Sequence, residues 1–441
     1  MIAVILGIFA LHFTSILVLE PSLISLFKWL FISALFIFTY KKNNLTAWIL
    51  FSMPLGIAIG TEWPTLAAEA NIFSKIFLKL IKCIIGPLIF GTLVVGIAGH
   101  GDIKKVGKMA WKSIVYFEVI TTLAIVIGLV AINFSQAGKG ISIPKSTSTE
   151  VLPIQKPKSV SEIILHAFPE NIAKTVAEGE VLQLVVFSML FGIALSLTPI
   201  KEKKIFLDFA ESLSHVMFKF TEIVMYLAPV GVCAAMAYTV GHMGIGILVN
   251  LFKLLATLYV ALLALVILVF IPTAIVFKIN ILHFFKAIVK PVSLAFATTS
   301  SEAALPSAME AMTKLGVSKK VVSFVMPMGY SFNLDGTSLY LSLASVFVAQ
   351  AAGIELSWEQ QISMVFLLML TSKGVAGVPR ASLIILLGAM AQFNLPVEPV
   401  FIILGIDELM DMARTSINVT GNCLASAVIA KLEGEYQPTK E

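Results

Sequence analysis

Asp407-Glu-Leu-Met-Asp411-Met-Ala-Arg414-Thr415-Ser-Ile-Asn418-Val-Thr-Gly-Asn422 sets charged and amide side chains inside an otherwise apolar stretch of roughly residues 398 to 430. At about 100° per residue, Asp407, Asp411, Arg414, Thr415, Asn418 and Asn422 fall within a ~100° arc of one helix, forming a single polar stripe. Arg414 is one of only two arginines in the 441-residue chain. A charge at the centre of a bilayer costs about 2.5 to 3.5 kcal/mol on insertion scales, so an acidic and basic pair one turn apart there marks a candidate functional site.

The rest of the chain supplies the membrane. Hydrophobic residues make up 58% of it and charged residues 13%, and the mean hydropathy is +0.95. No soluble domain needs so much apolar surface. Stretches long enough to cross a bilayer are expected near 47–68, 76–99, 113–134, 181–199, 220–240 and 249–277, with two more at about 321–350 and 398–430. Two further apolar runs, 2–19 and 22–40, flank Glu20-Pro21; without the basic start of a signal peptide they read as an extra helical hairpin. Lys41 and Lys42, the lysines from 104 to 112, 201 to 204 and 278 to 290, and the C-terminal tail fit one side, the cytoplasm. The lysines of the 136–160 loop lie on the other side and fit less well.

Other chemistries find no footing. Cys83, Cys233 and Cys423 are widely spaced in apolar segments, which implies neither a disulfide framework nor a metal site. Six scattered histidines lack ligand spacing, no Gly-rich phosphate loop or nucleophile elbow appears, and the net charge of +5 does not read as nucleic-acid binding. Nothing in these residues suggests an enzyme, and no cofactor is expected.

Two apolar stretches, 281–312 and 357–392, have arms too short to span and are each broken by a small polar cluster. The breaks read Thr299-Ser300-Ser301-Glu302-Ala-Ala-Leu-Pro306 and Thr371-Ser372-Lys373-Gly374-Val375-Ala376-Gly377-Val378-Pro379. Such half-length arms suit re-entrant hairpins, whose backbone amides survive at membrane depth only where they face protein or ligand; the alternative is two helices kinked at Pro and Gly. Between them, Asn333-Leu-Asp335-Gly-Thr337 interrupts a spanning helix with poor helix formers, freeing backbone carbonyls beside a carboxylate. A repeated unit of hairpin and spanning helix points to a transporter with its site at the midplane.

These four motifs, in this order, resemble the glutamate transporter family of dicarboxylate/amino acid:cation symporters, over roughly residues 45 to 432 and closest to its bacterial proton/glutamate branch. The resemblance implies an all-α polytopic fold of about eight core transmembrane helices and two re-entrant hairpins, to which this chain adds the N-terminal hairpin, 1–44. It implies a homotrimer working as an elevator in the inner membrane of a bacterium. Residues 45–280 would be mainly scaffold, with the helix near 109–135 joining a transport core at 281–432, and 433–441 would be a cytoplasmic tail. The second tip, Ser372, Lys373, Gly374, Val375, Ala376 and Pro379, would be the gate. Ser300, Ser301, Thr337, Gly377, Val378, Asp411, Arg414, Thr415 and Asn418 would hold substrate. Glu118, Glu302, Gly329, Asn333, Asp335, Asp407, Asn418 and Asn422 would couple a cation or proton.

Substrate chemistry has its own argument. Arg414 offers a planar fork that grips a carboxylate bidentately. Asp411 accepts from an ammonium, Thr415 and Asn418 add neutral donors, and Ser301 with tip amides would hold a second carboxylate. That is a pocket for glutamate or aspartate. The same polar pair also admits a plain structural ion pair.

Departures from the family pattern bear on the coupling ion. Sodium-driven members carry a carboxylate at the position of Asn422, a threonine at that of Ile120 and no lysine at that of Lys373. Sodium needs hard oxygen ligands, so these losses favour protons, with sodium as the alternative. Glu302 is the preferred proton carrier and Glu118 the second candidate, with Asp335 and Asp407 also open. Leu341 stands where mammalian relatives carry a glutamate linked to potassium, so no potassium antiport is expected.

Overall fold

The computed structural model describes residues 20–99, 103–141, 165, 168–178, 181–371, 381–393 and 395–437. The 2–19 arm of the expected N-terminal hairpin, the second tip from Ser372 to Arg380, and residues 438–441 lie outside them. The described residues are almost wholly helical, and an isolated bridge between Val317 and Tyr436 is the β-pairing among them.

Helix α1 (Pro21–Lys42) starts with Pro at a position where its missing N–H is harmless. It ends at Lys41-Lys42 with Asn43 in the left-handed region, φ 42°. α2 (Leu45–Glu62) is capped by Asn44, whose Oδ1 accepts from Ala47 N at 2.7 Å. The two run antiparallel over their whole length. At one end Glu62 accepts from Ser25 Oγ at 2.8 Å and Trp29 Nε1 at 2.9 Å and pairs with Lys28 at 2.5 Å. Towards the other end the Phe36 ring meets Trp48 and Phe51 edge-on. α1 is thus clamped to the first helix of the main body.

Pro64 opens α3 (Pro64–Ala98) directly after α2. The expected first span therefore ends at Glu62 rather than near residue 68, because Trp63-Pro64 restarts the helix. α4 (Ile103–Ser135), α5 (Ile172–Glu178) and α6 (Val181–Leu197) follow. The expected single span at 220–240 is instead two helices, α7 (Ile200–Met225) and α8 (Ala228–Met243), bent by 50°. Pro229, in the first turn of α8, has no N–H to continue the ladder of α7. α9 (Ile247–Leu265) passes through a π-helical turn at Val266–Phe270 into α10 (Ile271–Val276). Six helices among the described residues are long and apolar enough to cross a membrane, or seven if α7 and α8 form one span.

The C-terminal half contains the broken elements. α11 (Ile281–Thr298), at 18 residues, is long and apolar enough to cross a membrane, unlike the short arm expected there. It and α12 (Ser301–Lys314) fold back on each other through Thr299, φ 51°, while Ser300 Oγ caps α12 by accepting from Ala303 N at 3.2 Å. α13 (Lys319–Phe332) and α14 (Asp335–Ala351) are separated at Asn333-Leu334, where the sequence places a break. α15 (Trp358–Thr371) and α16 (Ala381–Gln392) lie on either side of the second tip. The expected span at 398–430 is also divided, into α17 (Glu398–Leu404) and α18 (Asp407–Glu433), so the polar stripe starts in a helix's first turn.

Packing sorts these helices into two groups. α8 lies on α2 and α3, and α3 also packs on α6 and α7; separately, α11, α12, α13 and α14 surround α18, with α4 against α14. α9, which the sequence groups with the scaffold, packs on α4, α14 and α18. At the lysine-rich base, Lys112 pairs with Glu433, and the chain beyond α18 is not loose: Ser318 N donates to Glu435 O at 3.1 Å and Gln437 N to Gly316 O at 2.8 Å.

Candidate substrate and coupling site

α18 is buried on every side for most of its length, which is why its polar stripe must find partners inside the protein. Arg414, 1% exposed, donates from Nε to Asp411 Oδ1 at 2.9 Å and from Nη1 to Asp407 Oδ1 at 3.0 Å. Its guanidinium carbon lies 4.3 Å from the centroid of the Tyr340 ring, and Tyr340 OH donates to Asp407 Oδ1 at 3.3 Å. Thr415 Oγ1 donates to Asp411 Oδ1 at 3.0 Å. Nη2 of Arg414 is buried and has no protein partner among the described residues. A guanidinium held by two carboxylates and an aromatic face, with one N–H edge left over, is oriented to receive an acceptor from outside the protein.

The break between α13 and α14 presses against this helix. Gly336 sits so close to the Arg414 backbone that a Cβ there would lie 3.0 Å from Arg414 Cα. Asn418 Oδ1 accepts from Gly336 N at 2.8 Å and Thr337 N at 3.2 Å, and its Nδ2 donates to Thr337 Oγ1 at 2.9 Å. Asn418 therefore caps α14 from a different helix, where local capping is missing at Leu334. The sequence assigned Asn418 to substrate and cation; here its carbonyl is committed to two backbone amides.

A second polar knot lies one turn further along α18. Asn333 Nδ2 donates to Asp335 Oδ2 at 3.1 Å and to Asn422 Oδ1 at 3.3 Å, and Thr121 Oγ1 of α4 donates to Asp335 Oδ1 at 3.3 Å. Gly329 lies against the Asn422 amide and the Phe117 ring, where no side chain fits. Thr121 is absent from the sequence-derived set. Ile120 brings no oxygen to the site, but the neighbouring Thr121 turns its hydroxyl onto the Asp335 carboxylate. One residue is 100° around α4, enough to exchange an apolar face for a polar one. The threonine itself was the available signal.

Other predicted residues stand apart or outside. Ser301 is buried at the start of α12, and Ser300 serves as its cap. Glu302 is exposed on the single chain and makes no hydrogen bond or ion pair among the described residues. Glu118 is half-buried on α4, its main-chain oxygen accepting from Thr122 Oγ1 at 2.6 Å. The gate residues and Gly377 and Val378 lie outside the described residues. Two buried groups went unmarked in the sequence: Tyr340, a single tyrosine in an apolar helix, and Glu408, beside Asp407 in the first turn of α18.

An apolar helical bundle that buries a charged cluster against a helix break has the build of a membrane transporter. The chain belongs to the sodium:dicarboxylate symporter family, whose model matches residues 45–432. It is 40% identical over 408 residues to the proton/sodium-glutamate symport protein of Bacillus subtilis (strain 168), covering 90% of this chain and 95% of that one. It is 40% identical over 419 residues to the proton/glutamate-aspartate symporter of Escherichia coli (strain K12), with 90% and 95% covered. The C4-dicarboxylate transport protein of Bacillus subtilis (strain 168) is 38% identical over 406 residues, with 90% and 96% covered.

Proposed function

We propose that this protein is a proton-coupled symporter for acidic amino acids, glutamate or aspartate. The observation that carries the substrate is the Arg414 arrangement: the unpartnered Nη2 suits a carboxylate, and Asp411, held beside it, suits an ammonium. Relatives named for glutamate and for C4-dicarboxylates are about equally similar to the chain, so overall identity does not choose between them. Asp411 does, because a dicarboxylate without an ammonium gains nothing from a second anion.

Proton coupling is supported by the replacement of a carboxylate by Asn422 and by Lys373 in the second tip. Thr121 weakens that argument by one ligand but restores no charge. Of the candidate carriers, Asp335 is fully buried at the helix break with Thr121 and Asn333 donating to it, whereas Glu302 is exposed; we favour Asp335. Assembly as a homotrimer, with α4 and the elements around α18 moving as an elevator against the α2, α3, α6, α7 and α8 group, accords with the two packing groups.

The test is uptake of labelled aspartate into liposomes, competed by glutamate and by succinate. Asp411→Asn should lower amino-acid affinity about tenfold or more, ~1.4 kcal/mol, and leave succinate competition intact. Strong succinate competition in the unmodified protein would favour the dicarboxylate reading.

A further inference from the structure

The seam between α4 and α14 has a feature that the substrate site does not use. The two helices run side by side in the same direction. Thr121 meets Asp335, Gly128 meets Leu339 and Ser342, and Gln350 Nε2 reaches Ile132 O at 3.4 Å while its Oε1 accepts from Gly138 N at 3.1 Å. Along this face of α14, Asp335, Ser338, Ser342 and Ser345 recur at helical spacing, covering about 15 Å of rise. All four are fully buried. Among the described residues the hydroxyls of Ser338 and Ser345 have no hydrogen-bond partner, and neither has the buried Ser135 hydroxyl at the far end of α4. Three unpaired hydroxyls on these two helices, those of α14 flanking the seam, run against the rule that buried polar groups are satisfied, by protein or by ordered water.

Both ends of this line open onto polar ground. Its inner end is Asp335. Its other end, away from the lysine-rich base, is a cavity of about 470 Å³ lined by Asn133, Gln136, Lys139, Gln350, Glu355 and Gln361 among others. Midway, the helices touch: a Cβ on Gly128 would lie 2.5 Å from Leu339 O and closer still to Ser342 Oγ. Water does not fit beside that contact, so the line passes through the Ser342 hydroxyl, which donates to Leu339 O at 2.8 Å and keeps its lone pairs.

We propose that the α4–α14 seam is a binding site for a short file of water molecules that, with Ser338, Ser342 and Ser345, relays the coupling proton between the outer cavity and the Asp335 cluster. This rests on the proton reading of the preceding section. In each transfer a hydroxyl oxygen takes a proton from the water behind it and gives its own to the acceptor ahead. Every serine ends as it began, one proton leaves the outer water, and a carboxylate of the cluster ends protonated. The groups around Asp335 include Tyr116 and Thr121 from α4, Asn333 from the helix break, and Gly421 and Asn422 from α18, and of these Tyr116 is titratable.

Ser342→Ala removes the link where no water can substitute. In proteoliposomes, its proton-driven aspartate accumulation should fall about tenfold, as for a lost proton-transfer group. Aspartate affinity and exchange at equal pH should stay within about twofold, because neither needs the proton to leave. Should Ser342→Ala fail to fold, Ser338→Ala combined with Ser345→Ala replaces it. As a second reading, Ser345→Ala should not raise Tm, because a water-bonded hydroxyl is satisfied, whereas a dry one gains stability on removal. Unchanged accumulation in Ser342→Ala beside a wild type that responds to protons, or a raised Tm, overturns the relay alone. A wild type driven only by sodium overturns the proton reading and the relay together.

Discussion

Asn418 and Gly336 are 82 residues apart in sequence, and the Asn418 Oδ1 accepts from the Gly336 N–H at 2.8 Å. That bond, with its partner to Thr337 N, makes α18 the cap of α14 and fixes Arg414 and the helix break as one unit. Asn418→Ala should cost about 0.5 to 2 kcal/mol, the range for a lost N-cap, seen as a lower Tm. Asn418→Asp keeps the acceptor and should recover most of that loss. Equal damage from both would show that the Nδ2 bond to Thr337 matters more than the cap.

Arg414→Ala should abolish uptake of aspartate and glutamate while allowing some neutral amino-acid transport, since Asp411 remains to hold an ammonium. The measurement is competition of labelled serine and aspartate uptake. Removing the guanidinium also leaves Asp407 and Asp411 close together and buried, so a loss of stability is expected alongside. Unchanged aspartate affinity would remove the arginine from the pocket.

Thr121→Val is nearly isosteric and deletes the hydroxyl that reaches Asp335. With Asp335 as the proton acceptor, losing a donor to the ionised carboxylate should tighten proton binding and shift the pH dependence of uptake upward, and it should cost about 1 to 3 kcal/mol of stability by stripping a buried carboxylate of a donor. Ile120→Thr, which restores the residue the family comparison singles out, should change little. The reverse ranking would show that the side chain at 120, and not that at 121, serves the site.

Glu302→Gln separates the two proposed carriers. With Asp335 as the acceptor, proton-driven accumulation should stay above about half of wild type, a change within the ordinary range for an exposed position. Loss of accumulation with intact exchange would return the proton to the first hairpin tip.

At the other end of the chain, Glu62→Ala deprives Ser25, Trp29 and Lys28 of their common acceptor and should lower Tm by loosening α1 from α2. Three donors on a part-buried carboxylate make this about 1 to 3 kcal/mol. Transport affinity should be unaffected, because α1 lies outside the family-matched region.

Much of this was legible in the residues. Polar side chains at helical spacing in an apolar segment can only be a buried stripe, so α18 was readable from Asp407 to Asn422. Asn333-Leu334 was readable as a break because three poor helix formers cluster there. Thr299-Ser300 likewise gave a turn and a cap. The pairing within the stripe was not legible: whether Asp411 serves ligand or arginine depends on side-chain rotation that spacing does not set. Nor was the role of Asn418, whose acceptors lie on another helix, or that of Tyr340, which depends on how α14 rotates against α18. Boundaries slipped where proline acts locally, at Trp63-Pro64 and before Pro229, although both prolines were in view.

Coupling by protons to an acidic amino acid is the central claim. Its most direct measurement is uptake of labelled aspartate and glutamate into liposomes of the purified protein, with an inward proton gradient or an inward sodium gradient imposed alone. Accumulation driven by the proton gradient in sodium-free buffer is the predicted result. Accumulation that appears only with sodium would contradict it, and would mean that Asn333, Asp335, Thr121 and backbone carbonyls at the helix break suffice to hold that ion.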